Sequence, residues 1–166
     1  TVVDSKAPGF LSKPAKPLDD NSVAARVLLR LHHLTHKEDY RKRAEETLKR
    51  FIEVYPQFGF MAAQYALAVD FMLNEPTLIR IVGTPGQAQT KGLLAEAHRI
   101  YEPRKIIQVL DQAKDSSRIA SLGYLVSDSP TAYICVGKVC AAPIIEPNQI
   151  AAELNRLATP QVTREH

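Results

Sequence analysis

The stretch that decides the fold is Ser129-Pro130-Thr131-Ala132-Tyr133-Ile134-Cys135-Val136-Gly137-Lys138-Val139-Cys140, with the helical run 149–157 behind it. A proline stands ahead of a short apolar strand, 132–136. A two-residue turn then leads into a second strand, 139–145. Glycine at the first central position suits a type II′ turn, so the two strands form a hairpin about Gly137-Lys138. Glu146-Pro147 starts the closing helix, which faces Ile150, Leu154 and Leu157 inward.

Working backwards, Leu78-Ile79-Arg80-Ile81-Val82 is a compact strand and Gly83-Thr84-Pro85-Gly86 the loop after it. A helix over 89–101 places Leu93, Leu94, Ala97 and Ile100 on one face, and 105–110 is the next strand. Two strands joined through a helix should be parallel, with a right-handed crossover. A weaker helix is expected over 115–122. The order β-α-β-α-β-β-α gives an α/β (α+β) domain with a four-stranded mixed sheet and helices on both faces.

The chain divides near Asn74-Glu75-Pro76, where helical spacing of apolar residues gives way to short β-branched runs. Residues 1–75 read as an extended lead-in followed by about three helices, 76–158 as the α/β domain and 159–166 as a tail. Asp20 or Ser22 is expected to cap the first helix, with Val23, Ala24, Val27, Leu28, Leu31 and Leu34 on its apolar stripe. The second helix carries Tyr40, Ala44, Leu48, Phe51 and Tyr55, with Glu45-Lys49 and Glu46-Arg50 pairs on its outer face. The third, over 60–73, has Gln64 and Asp70 as its only strongly polar side chains. A helix so apolar must be covered on more than one side, either deep under the α/β part or in a homodimer contact through the helical half.

Composition bounds the function. The 166 residues are 45% hydrophobic, enough to fill a core, and the net charge of +3 is evenly spread: 11 basic against 10 acidic residues over 1–75, and 10 against 8 over 76–166. With no basic face, nucleic acid is not an expected partner. The apolar runs fall short of the roughly 20 residues a membrane span needs, and no leader pattern opens the chain. The cytoplasm is the expected compartment.

Four groups of residues are of a kind that can carry chemistry. Cys135 and Cys140 should face each other across the hairpin as a non-hydrogen-bonded pair, with Cα atoms about 4.5 Å apart. They are either a cross-strand redox pair or two small buried hydrophobes. His32 and His36 lie one helical turn apart without a third ligand, so no metal is expected, and the His32, His33, His36 cluster reads as a helix end. Gly83, Thr84, Gly86, Thr90 and Lys91 could hold an anion on free amides, although they match neither the dinucleotide glycine pattern nor the P-loop and a simple turn explains them too. Asp19-Asp20 reads as capping. No cofactor and no catalytic residue is indicated.

The element order over 76–157 resembles the thioredoxin fold. Pro130 falls where thioredoxin-like proteins carry a cis-proline, so the resemblance implies a cis Ser129-Pro130 bond, and Gly137-Lys138 matches their hairpin turn. Where they carry Cys-x-x-Cys, this chain has Gly83-Thr84-Pro85-Gly86, which implies a degenerate domain without thioredoxin-type oxidoreduction.

A second resemblance rests on Asn21-Ser22-Val23-Ala24-Ala25, Leu28-Leu29-Arg30-Leu31, Tyr40-Arg41, Ala44-Glu45, Val82-Gly83, Ala132-Tyr133-x-Cys135 and Cys140-x-x-Pro143. These resemble the C-terminal region of the large thioredoxin-domain proteins related to spermatogenesis-associated protein 20. Members of that family carry a thioredoxin-like domain, then a helical toroid similar to N-acylglucosamine and cellobiose 2-epimerases, then a tail like this chain. The resemblance implies a non-catalytic C-terminal module whose partners are its own upstream domains or another protein. The alternatives are part of a sugar epimerase-like enzyme, although the chain has no Trp to form a sugar platform, and a redox protein using Cys135 and Cys140.

Overall fold

The computed structural model describes residues 17–158, which fall into two compact units dividing between Asn74 and Glu75. The lead-in before residue 17 and the tail over 159–166 lie outside the described residues.

The first unit is helical: α1 (Leu18–Thr35), α2 (Glu38–Lys49), a 3₁₀ segment (Tyr55–Ala62) and α3 (Ala63–Leu73). The first helix starts earlier than its expected caps. Pro17 holds the N-cap position without a side-chain cap, while Asp19 and Asp20 sit in the first turn, where carboxylates meet the positive end of the helix dipole. Ser22 lies inside the helix and donates its hydroxyl to the Leu18 carbonyl oxygen at 2.7 Å. That bond satisfies the hydroxyl and lets Ser22 be buried.

The buried face of α1 is Leu18, Ser22, Ala25 and Leu29, not the expected stripe. Val23 and Val27 are 47% and 50% exposed. At 100° per residue they lie roughly half a turn from the buried face. Two stripes of this helix are apolar, and the smaller residues Ser22 and Ala25 win the inside because they let α2 and α3 approach closely. At the other end, His36 adopts the left-handed conformation (φ 57°), its N–H donates to His32 O at 2.7 Å, and His32 Nδ1 lies 3.2 Å from Lys37 O. The histidines therefore end the helix.

The third helix begins at Ala63 rather than residue 60. Gly59, with φ 52° and ψ −128°, breaks the 3₁₀ turns ahead of it, a conformation glycine adopts without a Cβ penalty. Nor is this region deeply buried: Tyr65 and Phe71 are inside, but Phe60 is 92% and Leu73 76% exposed.

The second unit is a four-stranded sheet in the order β2-β1-β3-β4, built from β1 (Thr77–Val82), β2 (Ile106–Leu110), β3 (Thr131–Val136) and β4 (Val139–Cys140). β1 runs parallel to β2 and antiparallel to β3, and β4 is antiparallel to β3. α4 (Ala88–Arg99) joins β1 to β2, α5 (Ser116–Ser121) joins β2 to β3, and α6 (Gln149–Ala158) closes the unit. Ile79, Ile81, Ala132 and Ile134 pack with Leu93 and Ala97 of α4 and Ile150 and Leu154 of α6. On the other face Val82 and Leu110 pack with Ile119 of α5. This mixed sheet with helices on both faces is consistent with the thioredoxin-like arrangement.

Two expectations are corrected here. The strand 139–145 is reduced to β4 because Ala142 and Pro143 together oppose the single residue Tyr133, a bulge, before pairing resumes at Ala132 and Ile144. The Ser129-Pro130 bond is trans, since there is no cis peptide among the described residues. The Ser129 carbonyl oxygen accepts from both Ser127 Oγ (2.6 Å) and Thr131 Oγ1 (3.1 Å). These hydroxyls close the turn into β3 with the peptide in its default isomer.

Candidate functional site

The helical unit opens a large concavity, about 1140 Å³ in volume, between α2 and α3. Leu48 and Ile52 line one wall, Ala66, Val69 and Leu73 the other, and Phe60 stands at the rim. The floor is aromatic: Tyr65 stacks on Tyr55 with ring centroids 5.0 Å apart and meets Phe51 edge-on at 6.5 Å. Tyr65 donates its hydroxyl to Leu48 O at 3.1 Å, so the polar end of this buried ring is satisfied within the unit. Burial, and secondarily Tyr55, raise its pKa above the ordinary phenol value.

Four charged residues also line this groove: Arg41, Glu45, Lys49 and Asp70. Glu45 pairs with Lys49 at 2.8 Å, and that hydrogen bond and charge hold its carboxyl below the usual range. The groove otherwise presents mostly alkyl and aromatic surface. Its alkyl and aromatic lining is suited to receive an apolar face.

In the α/β unit the two sulfurs are bonded. Cys135 and Cys140 oppose each other in the β3–β4 register with Cα atoms 4.1 Å apart and an S–S length of 2.08 Å. Cys135 is buried and Cys140 exposed. Gly137 has φ 56° and Lys138 a negative φ, as a type II′ turn requires. The pair is remote in sequence from the start of α4, where a thioredoxin-type thiol would stand.

The anion-site candidates are brought together as packing. Gly83 is buried, and its N–H donates to Leu110 O at 3.0 Å. A methyl on Gly83 would lie 2.7 Å from Thr90 Oγ1 and 2.8 Å from Pro130 Cβ, so those three residues fill the space above the sheet end. Thr90 Oγ1 is buried without a hydrogen-bond partner, but it faces this closed contact. Gly86 (φ 95°) turns the loop outward, the Gln87 N–H donates to Thr84 O at 3.2 Å, and Lys91 is exposed.

Sequence reading missed a buried cation. Arg80, in the middle of β1, is 6% exposed. It lies between Gln108 of β2 and Tyr133 of β3. Its Nη1 donates to Tyr124 Oη at 3.1 Å and its guanidinium carbon sits 6.0 Å from that ring's centre. Tyr124 in turn stacks on Tyr133 at 4.3 Å. Gln108 lies 3.4 Å from Arg80 Nε and, with its amide oxygen turned the other way, 3.1 and 3.2 Å from the Arg118 Nη atoms. Among the described residues no carboxylate reaches ion-pair distance of Arg80. Aromatic faces and neutral oxygens stabilise its charge instead. The signal was one charged residue inside an apolar strand.

Among the described residues, no group of three or more His, Cys, Asp or Glu could hold a metal ion, and no helix is long and apolar enough to cross a membrane. Compared with known proteins, the chain is similar to spermatogenesis-associated protein 20 of Rattus norvegicus, 30% identical over 141 residues. It is also similar to the proteins of that name from Homo sapiens (29% over 145 residues) and Mus musculus (29% over 141 residues). These matches cover 82–84% of this chain but only 18% of each relative's length. No family model and no solved structure matches.

Proposed function

We propose that this chain acts as a non-catalytic module of a larger protein akin to spermatogenesis-associated protein 20, holding that protein together or docking a partner on it. The observation that carries this reading is the apolar surface of the helical unit that the described residues leave open. One such surface is the groove between α2 and α3, and another is the strip of α1 bearing Val23 and Val27. Helices apolar on two faces belong inside a wider helical layer, such as the toroid the family resemblance implies. The similarity is also confined to 18% of the relatives' length, which leaves ample chain to supply the cover. Location in the cytoplasm is part of the proposal.

A sugar epimerase-like enzyme would need carboxylates beside an open aromatic platform. In the groove Tyr65 is buried, Glu45 is tied to Lys49, and most of the remaining lining is alkyl, which supports docking over sugar chemistry. A second reading, thiol–disulfide exchange at Cys135–Cys140, is favoured by the closed bond and the exposure of Cys140. Thiols of a reducing compartment would reach that sulfur.

The test is the mass of the native polypeptide. An antibody against this chain should detect in source cells a product several-fold heavier than the 18.4 kDa of the 166 residues. A native product of 18.4 kDa would overturn the reading.

A further inference from the structure

Arg80 and Arg118 meet at one shared amide. Gln108 is the register partner of Arg80 across β1 and β2, and in one orientation its side-chain oxygen lies 3.4 Å from Arg80 Nε. With the amide turned over, that oxygen lies 3.1 and 3.2 Å from the Nη atoms of Arg118 on α5. A side-chain amide has one acceptor oxygen and one NH2 donor group. Whichever guanidinium takes the oxygen, the other faces the NH2.

The next neighbour adds a further donor. Tyr124 Oη accepts from Arg80 Nη1 at 3.1 Å, so its own proton points elsewhere. The acidic side chains closest along the chain are engaged by the turn between β2 and α5: Asp111 Oδ1 accepts from Ala113 N at 3.0 Å, and Asp115 Oδ2 accepts from Asp111 N at 2.8 Å. The cluster therefore joins two positive charges to more donors than acceptors. A charge buried as Arg80 is costs stability unless an opposite charge meets it. Arg118, Gln108 and Tyr124 are each half-buried, so the cluster is within reach of solvent.

We propose that this cluster binds a phosphate group, held by the guanidiniums of Arg80 and Arg118 and by the Tyr124 hydroxyl. Guanidiniums donate in pairs to oxyanions, and such charge-assisted bonds are the strong ones. The donors come from β1, from α5 and from the segment after it. Donors on three separate elements suit a group with oxygens on every side better than a planar carboxylate. The site belongs to the α/β unit and is independent of what covers the helical groove.

Calorimetric titration of the 166-residue chain with inorganic phosphate, at an ionic strength held constant with chloride, tests it. The expected result is saturable binding at one site. Arg118→Met keeps the alkyl stem at a half-buried position and should weaken binding at least about tenfold, the loss of a charged hydrogen bond. Gln108→Glu sets a carboxylate between the two guanidiniums. It should raise the melting temperature in chloride and abolish phosphate binding. Glycerol phosphate is titrated in parallel: tighter binding than the free ion identifies the ligand as a phosphate ester, and equal or weaker binding identifies it as the free ion. No saturable heat with either titrant overturns the inference. So does an Arg118→Met variant that binds unchanged, or a Gln108→Glu variant that folds and still binds.

Discussion

The ammonium of Lys105 donates to the carbonyl oxygen of Ala97 at 2.7 Å, and to those of His98 at 2.9 Å and Ile100, so the first residue after the α4–β2 turn caps the helix it has just left. α4 has no glycine in a left-handed conformation after it; Ile100 leaves the helix extended. The last-turn carbonyls would otherwise be unpaired, and a cation is the group that the helix C-terminus favours. Lys105→Met keeps the alkyl stem and removes the charge. It should lower stability by about 1–3 kcal/mol, the cost of stranding partly buried carbonyls, in a urea unfolding curve.

Gly83 and Thr90 should respond in opposite senses. Gly83→Ala drives a methyl into Thr90 Oγ1 and the Pro130 ring, and overpacking of that kind costs about 1–3 kcal/mol. Thr90→Val replaces a buried hydroxyl that has no partner with a methyl of similar size. It should leave stability unchanged or raise it by about 1 kcal/mol. Paired thermal melts decide both.

The hairpin turn and the succession of strands and helices along the chain were legible because β-branched runs and a glycine turn specify them locally. The two-residue turn alone set Cys135 opposite Cys140, whereas whether their sulfurs bond depends on more than register. The buried face of α1 was not legible. Its sequence carries two apolar stripes, and the one with Ser22 and Ala25 goes inside for reasons of close approach and a hydroxyl bonded to its own helix, which hydrophobicity does not rank. Arg80 was passed over because its partners, Tyr124 and Tyr133, come from elements 44 and 53 residues away in sequence. The groove escaped notice because it forms only once Gly59 has turned the chain and set α3 beside α2.

Tyr65 should make stability fall at alkaline pH. Its folded-state pKa is raised above 10.0, first by burial and then by Tyr55, so the unfolded chain ionises first. Its contribution is fully present below about pH 10 and is lost as pH rises through the folded value. Tyr65→Phe should remove that alkaline loss. At neutral pH the variant gives up the bond to Leu48 O, about 1 kcal/mol. Urea midpoints of both proteins from neutral to strongly alkaline pH provide the check.

The Cys135–Cys140 bond should not support thioredoxin-type turnover. That chemistry uses a thiolate stabilised at a helix N-terminus with a resolving thiol one turn on, and the α4 start has Gly83-Thr84-Pro85-Gly86 there. In an insulin-reduction assay with dithiothreitol the chain and its Cys135→Ser variant should both match the blank. Turnover that the variant abolishes would make the hairpin pair a working redox centre.

The central claim, in the form that the helical groove holds the larger protein together, is tested most directly at Phe60, the most exposed of the groove's large apolar residues. A Phe60→Cys variant should react rapidly with a maleimide in the isolated 166-residue chain. In the intact native polypeptide carrying the same substitution, the reaction should slow at least tenfold, because that position is then covered. Equal rates in the two would show that the groove faces solvent in the native protein, and would contradict the account.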